Sequence, residues 1–386
     1  MDDTAKAPFQ YCARCLEPNS RPGSMFDAEG ICLPCRYTEQ LDSIDWGLRR
    51  RELENIAEWG RQHRSFGYDC IIGVSGGKDS MRIAHYVRDE LGLKPLLVCC
   101  SYPPEQISER GAANLDTLIA HGFDTHVVSP GPRTWKKLMR KGLREHANIF
   151  KSTELALYSS VFRVAVAYNI RLGFFGENPA LAFGGSVGSI DGNANNLRQG
   201  NTLGGGDVAT WIDAGTPLEQ LFWYRMPNEE DVDRAGLRIV YIGYYMRDFN
   251  ELVNGAFAVD HGLACREGPD ADPARTGSLN VFEALDEDFV HVNQHLKALK
   301  LGTGKITQQA SVLVRYGEAT RDEALRLVEQ YDGKCARDYI ERLCDYLQIR
   351  VEEFDAIAND ARNKDLWQIN NHGDWELRYK VRSVTE

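Results

Sequence analysis

The stretch "CIIGVSGGKDSMRIAHYV", Cys70 to Val87, runs strand-forming apolar residues straight into Ser75-Gly76-Gly77-Lys78-Asp79-Ser80 and then into an amphipathic helix. Two glycines between a buried strand and a helix leave backbone N–H groups uncovered at the positive end of the helix dipole, a place that favours an anion. The reading is therefore a phosphate-binding turn. It is not a Walker A loop, because GxxxxGK[ST] requires Ser or Thr directly after the lysine and Asp79 stands there instead. An ordinary tight turn would explain a bare SGG. A strand, a serine, two glycines, a lysine, an aspartate, a serine and a helix in succession are far more specific.

Around this turn, from Tyr68 to about Gly176, short apolar runs alternate with helical patterns. "YDCIIGVS", "PLLVCCSY", "THVVSP" and "LGFFGEN" read as strands, and helices are predicted near 79–91, 108–121, 134–145 and 154–169. That alternation predicts an α/β fold, a parallel sheet with helices on both faces, which binds ligands beyond the carboxyl ends of its strands. "LRIVYIGYYM", Leu237 to Met246, adds a further strand, and "FGGSVGSIDGNANNLRQGNTLGGGD", Phe183 to Asp207, reads as a mobile inserted loop expected to close over the site. After Asn250 the pattern is mainly helical, and Thr320 with Glu323 forms a capping box. Upstream, Leu41 to Phe66 is helical, with Leu48, Leu53, Ile56, Ala57 and Trp59 as its buried stripe. The divisions expected are a zinc-ribbon-like module with linker at 1–45, an ATP-binding domain at 46–253 and a mainly helical C-terminal domain at 254–386.

Cys12, Cys15, Cys32 and Cys35 have the CxxC…CxxC spacing of a tetrahedral metal site, in a Pro-, Gly- and Ser-rich segment with almost no apolar core of its own. Four thiolates leave no open coordination position, so the expectation is structural Zn2+. The net charge of −11 argues against a broad nucleic-acid footprint. No apolar run reaches the roughly 18 residues that span a bilayer, and the start "MDDTAKAPFQ" has no signal-peptide pattern, so a cytoplasmic protein without membrane insertion is expected.

"SGGKDS" resembles the pyrophosphatase loop of the PP-loop ATPases, whose fold is adenine nucleotide alpha-hydrolase-like. Those enzymes cleave ATP to AMP and pyrophosphate, adenylating a carbonyl-type oxygen that a nitrogen or sulfur nucleophile then displaces. The resemblance implies that Ser75, Gly76, Gly77, Lys78, Asp79 and Ser80 cradle the phosphates, that Lys78 neutralises developing charge and that Asp79 helps to hold Mg2+. "FFGENPALAFGG" (Phe174 to Gly185), "YIGYYMRDFNEL" (Tyr241 to Leu252) and "LKLGTGKITQQASVLVRYGEATRDEALRLVEQYDGK" (Leu299 to Lys334) are similar to the N-acetyl sugar amidotransferases of surface-polysaccharide (LPS O-antigen) biosynthesis. By that resemblance the protein is an AMP-forming C–N ligase. It would turn the acetamido group of a nucleotide-linked N-acetyl sugar into an acetamidino group with ammonia from a separate glutaminase subunit, a further barrel-like subunit conducting the ammonia. Glu177 would take a proton from the nucleophile or bind Mg2+, Asn178 would orient the acetamido group, and Asn114 also matches the family pattern; Asn178-Pro179 read alone is a turn. Lys300, Lys305 and Arg315 have the charge to meet a diphosphate.

Two other readings compete. A tRNA-thiolating or other sulfur-inserting PP-loop enzyme also combines this loop with CxxC pairs, although the acidic balance weighs against it. A zinc-ribbon scaffold that only senses nucleotide is disfavoured by the intact Lys78, Asp79 and Ser80.

Overall fold

A computed structural model describes residues 9–176, 181, 189, 191–198, 207–213 and 215–380. Glu177 and Asn178 lie outside the described residues, as does most of the Gly-rich 183–207 segment.

Five parallel strands form the central sheet: β1 (Cys70–Val74), β2 (Pro95–Cys100), β3 (Thr125–Val128), β4 (Leu172–Phe175) and β5 (Arg238–Tyr241), in the order β3-β2-β1-β4-β5. β1 and β2 are almost wholly buried because helices cover both faces, and such strands carry continuous apolar runs rather than alternating ones. The pleat sends successive residues to opposite sides. Ile72 and Val74 join a core with Leu53 and Ile56 of α2 (Trp46–Gln62) and Met81 and Ala84 of α3 (Lys78–His85), while Ile71 meets Val161 and Phe162 of α6 (Thr153–Ala167). α2 presents Leu53, Ile56 and Ala57 as expected, but Leu48 in its first turn is 47% exposed. The apolar stripe begins one turn later than the pattern predicts, after the turn that Asp45 caps by accepting from Leu48 N at 2.8 Å.

α1 (Leu33–Gln40) precedes α2, α4 (Glu109–Ala120) and α5 (Pro132–His146) run between the strands, and α7 (Glu229–Ala235) precedes β5. After β5 come α8 (Glu251–Asp260), α9 (Val290–Leu301), α10 (Lys305–Arg315), α11 (Arg321–Tyr331), α12 (Arg337–Leu347) and α13 (Val351–Ala361). α5 belongs to the core of these later helices, its Trp135 and Leu138 clustering with Leu296, Tyr339, Leu343 and Phe354. Thr320 and Glu323 form the expected capping box on α11. A hairpin of β6 (Trp367–Ile369) and β7 (Trp375–Leu377) follows, which the helical reading of the C-terminal region did not foresee. Its signal is local: Asn370 Oδ1 accepts from His372 N and Asp374 N, and the Arg362 guanidinium lies 5.0 and 4.9 Å from the Trp367 and Trp375 rings. Among the described residues no helix is long and apolar enough to cross a membrane.

β1 has β2 on one side and β4 on the other, so the strand order reverses direction at β1/β4. The carboxyl end of β1 at this switch point is where the glycine turn begins, and clefts at such points collect ligands.

Candidate phosphate and catalytic site

Gly76 has φ +89°, a conformation that a side chain strains, and a Cβ there would meet Leu115 N at 3.1 Å and Asn114 C at 3.2 Å. Glycine is thus required by both the backbone and its neighbour. Asn114 is buried and clasps one residue in both directions, Nδ2 donating to Ala264 O at 3.1 Å and Oδ1 accepting from Ala264 N at 2.7 Å. It supports the turn from below, and this pairing accounts for its amide. Gly76→Ala is expected to cost about 1–3 kcal/mol and to displace the turn, checked by a denaturant melt alongside nucleotide binding.

Gly77 is the N-cap of α3 and carries no side chain that could occupy the helix N-terminus. Its N–H donates to Ser75 Oγ at 3.3 Å, and Ser80 Oγ donates back to Gly77 O at 2.9 Å, which closes the turn. Lys78 opens the helix and is 7% exposed, so it is part of the interior rather than of a free loop. Its Nζ lies 2.8 Å from Asp79 Oδ2 and 2.5 Å from Glu283 Oε1. Glu283 Oε2 is 2.9 Å from Lys305 Nζ, at the first residue of α10, so one carboxylate bridges two ammonium groups carried by two helix N-termini. Burial acts to raise the Glu283 carboxyl, but Lys305 and Lys78 overcome it and hold the group below the usual carboxylate range. Lys305 loses by burial and gains more from Glu283 and Glu251, so its ammonium form is favoured.

Opposite this bridge stands the first turn of α8. Asn254 Nδ2 donates to Asp79 Oδ1 at 2.8 Å. Among the described residues Asn254 Oδ1 and Glu251 Oε1 are buried acceptors with no hydrogen-bond partner, which normally marks a place where a further group, ligand or solvent completes the set. Burial raises the Glu251 carboxyl, with Glu283 and Asp79 adding and Lys305 and Lys78 opposing.

On the α6 side of the same turn is a cavity of about 310 Å3, walled by Gly73, Ser75, Ser80, Glu154, Phe175 and Tyr241 among others. Tyr241 is one of the residues lining the cavity, and its buried hydroxyl has no hydrogen-bond partner among the described residues. Cys100 also lines it. Burial pushes the Cys100 and Cys99 thiols up to about 12, far from the thiolate that sulfur transfer requires.

The acidic run Glu283 to Asp288 is the element that reading the sequence missed. Each of its carboxylates has a different task. Glu283 serves the two lysines, Asp286 meets the Ser75 side chain, Glu287 accepts from Phe289 N and Val290 N at 2.8 and 2.7 Å, and Asp288 pairs with Arg266 at 2.9 Å. Burial pushes the Asp286 carboxyl up to about 6. Ser108 N donates to Asp286 O at 2.8 Å, and a Cβ on Gly111 of α4 would lie 2.7 Å from Asp286 O, so the run is pressed onto the start of α4. Gly111→Ala is expected to destabilise the chain by about 1–3 kcal/mol through this clash, measured by thermal melting.

Of the three basic residues expected to meet a diphosphate, Lys305 stands beside the glycine turn through Glu283, and the other two are elsewhere. Lys300 Nζ donates to His146 O and Ala147 O at 3.0 and 2.9 Å, closing the end of α5. Arg315 lies beside the cysteine cluster, where Cys15 and Glu17 favour its charged form against burial. Cys12, Cys15, Cys32 and Cys35 are buried, with ligand atoms all within 4.8 Å of one another, a set fit to hold a metal ion. Backbone N–H groups of Arg14 and Cys32 point at Cys12 Sγ at 3.4 and 3.3 Å, as they do toward metal-bound thiolates. The module docks on α10 and α11: Leu16 packs against Ala310 and Ala324, and Leu16 N donates to Ser311 Oγ at 3.2 Å.

No curated protein matches the sequence. Among solved structures, one that matches is an NMN synthetase from Francisella tularensis, at 17% identity over 39% of this chain, with a TM-score of 0.26. The alignment spans 57% of that protein's length. Residues 278–382, which include Glu283 and Lys305, match the family model described as "LPS biosynthesis protein WbpG-like, C-terminal domain". In this region the chain is similar to a domain of lipopolysaccharide biosynthesis proteins.

Proposed function

We propose that the protein is an ATP-dependent, AMP-forming amidotransferase of surface-polysaccharide biosynthesis, acting on the acetamido group of a nucleotide-linked N-acetyl sugar. The observation that carries the reading is the convergence of two lysines on a glycine turn. Lys78 comes from the turn itself and Lys305 from the segment similar to the lipopolysaccharide-biosynthesis domain. Such a pair suits a leaving pyrophosphate, whose charge grows as the α,β bond of ATP breaks. Mg2+ bound with ATP would neutralise part of the phosphate charge, and Asp79 is the residue in the turn suited to hold it.

The chemistry follows. An amide carbonyl is a poor electrophile, so its oxygen attacks the α-phosphorus of ATP, pyrophosphate departs, and the acetamido carbon now carries AMP as a leaving group. Neutral ammonia adds to that carbon, a base removes one proton, and AMP leaves with the former acetamido oxygen, giving the amidine. Water attacking instead regenerates the amide. From sequence resemblance Glu177 is the proposed base and Asn178 the group that orients the acetamido; Glu177→Gln is then expected to slow amidine formation more than ATP binding.

At neutral pH free ammonia is mostly ammonium, which has no lone pair to attack with. A separate glutaminase subunit, with a barrel-like subunit conducting ammonia, is therefore proposed as the source. The isolated chain should use ammonium salts increasingly as the pH rises, and glutamine only when the partner is present. Measuring AMP release with nucleotide sugars that carry or lack an acetamido group tests the reading. Efficient use of glutamine by the chain alone would refute the external supply of ammonia.

A further inference from the structure

At the glycine turn Lys78 and Lys305 face three carboxylates: Asp79, Glu251 and Glu283. Among the described residues this lining has no surplus of positive charge while Glu283 occupies the lysines, and a polyphosphate would add several negative charges to a buried region. The geometry identifies the carboxylate that is out of place. Glu283 sits between the two ammonium groups, one oxygen at 2.5 Å and the other at 2.9 Å. Two phosphate oxygens bridging the same lysines would stand there. Asp79, by contrast, is tied to Asn254 at 2.8 Å on its other oxygen, and Glu251 keeps one oxygen unpartnered among the described residues.

We propose that Glu283 is an internal stand-in for pyrophosphate, a specificity-determining residue that holds Lys78 and Lys305 together and yields them when a diphosphate arrives. This rests on the reading of the glycine turn as a phosphate site. The backbone around Glu283 is held in place. Arg266 donates to Glu283 O at 3.3 Å and also to Ala284 O, and Ser108 Oγ donates to Leu285 O at 2.5 Å. Ala284 takes φ +51°, a conformation that costs a non-glycine residue energy and that turns the chain sharply between Glu283 and the acidic residues after it. The exchange is thus a rotation of the Glu283 side chain, not a movement of the loop. It makes the site selective: a ligand must offer more to the two lysines than a pre-placed carboxylate does, which a diphosphate can do and a single weakly charged group cannot.

Titration calorimetry of the full chain with inorganic pyrophosphate, in the presence of EDTA, tests this. Glu283→Gln keeps the side-chain shape and removes the competing charge, and it is expected to bind pyrophosphate at least about tenfold more tightly than the unaltered protein. Lys305→Met is expected to bind at least about tenfold more weakly. Equal or weaker binding by Glu283→Gln overturns the proposal, because it would make Glu283 a template that the lysines need. If pyrophosphate binds neither protein, the phosphate site itself is wrong and the proposal falls with it. Should Glu283→Gln prove less stable, thermal melting decides. Pyrophosphate must then raise its melting temperature more than that of the unaltered chain, and an equal or smaller rise overturns the proposal.

Discussion

Lys78→Met is expected to lower AMP formation from ATP by about 10²–10³-fold, the usual size of losing one group that stabilises developing charge in a water-poor site. The expectation comes from position. Lys78 is the first residue of α3, directly after a glycine turn whose backbone leaves the helix N-terminus open, at the point where the strand order of the sheet reverses. Its ammonium lies between Asp79 and Glu283 and has Lys305 as its counterpart across that carboxylate. Because Lys78 is 7% exposed, the substitution also acts on the fold. Glu283 keeps Lys305, so the buried carboxylate is not left alone, and the stability cost should stay within about 1–3 kcal/mol. Methionine preserves the aliphatic volume and separates the two effects. A variant that melts close to the unaltered chain yet has lost turnover supports a chemical role, and near-normal turnover removes Lys78 from the mechanism.

The second large effect is expected at the cysteine cluster. The segment carrying Cys12, Cys15, Cys32 and Cys35 has Ile31 and a few part-buried neighbours for a core, so metal–thiolate bonds must supply most of its folding free energy. Metal analysis should return about one zinc per chain, and Cys32→Ser should lose most of it, since structural zinc sites bind with an apparent free energy of order 10 kcal/mol. The consequence extends beyond the module. Leu16 packs against Ala310, and Leu16 N bonds Ser311, on the helix that begins with Lys305. Cys32→Ser is therefore expected to expose residues 9–40 to protease and to weaken nucleotide binding together. A native protein that carries no metal, with its N-terminal segment still protease-resistant, would contradict this.

How far the sequence could be read depended on whether a feature was local. The turn at Ser75 to Ser80 was legible as a strand-to-helix turn because its glycines, its lysine and its flanking strand and helix are contiguous, and the structure places it between β1 and α3. The two CxxC pairs were legible for the same reason, each knuckle being four residues long. The Thr320–Glu323 capping box is likewise set by a three-residue spacing. Glu283 was not legible. It lies far along the chain from Lys78, in a short non-helical run within a region of helical pattern, and nothing near it announces a partner. Glu251 and Asn254 were hidden in the same way, since one face of α8 becomes part of the site only when it packs on α3. Lys300, Lys305 and Arg315 share a segment and a charge, yet only Lys305 stands at the helix start that faces the turn. Helical phase and tertiary approach, not residue type, separated them.

The proposed reaction has an acetamido oxygen attack the α-phosphorus of ATP at this turn. The most direct measurement uses a nucleotide sugar labelled with 18O in its acetamido carbonyl, incubated with the protein, ATP, Mg2+ and ammonium at high pH, followed by mass spectrometry of the nucleotide product. AMP carrying one 18O for each amidine formed is expected. ADP as the product, or AMP without the label, would contradict it.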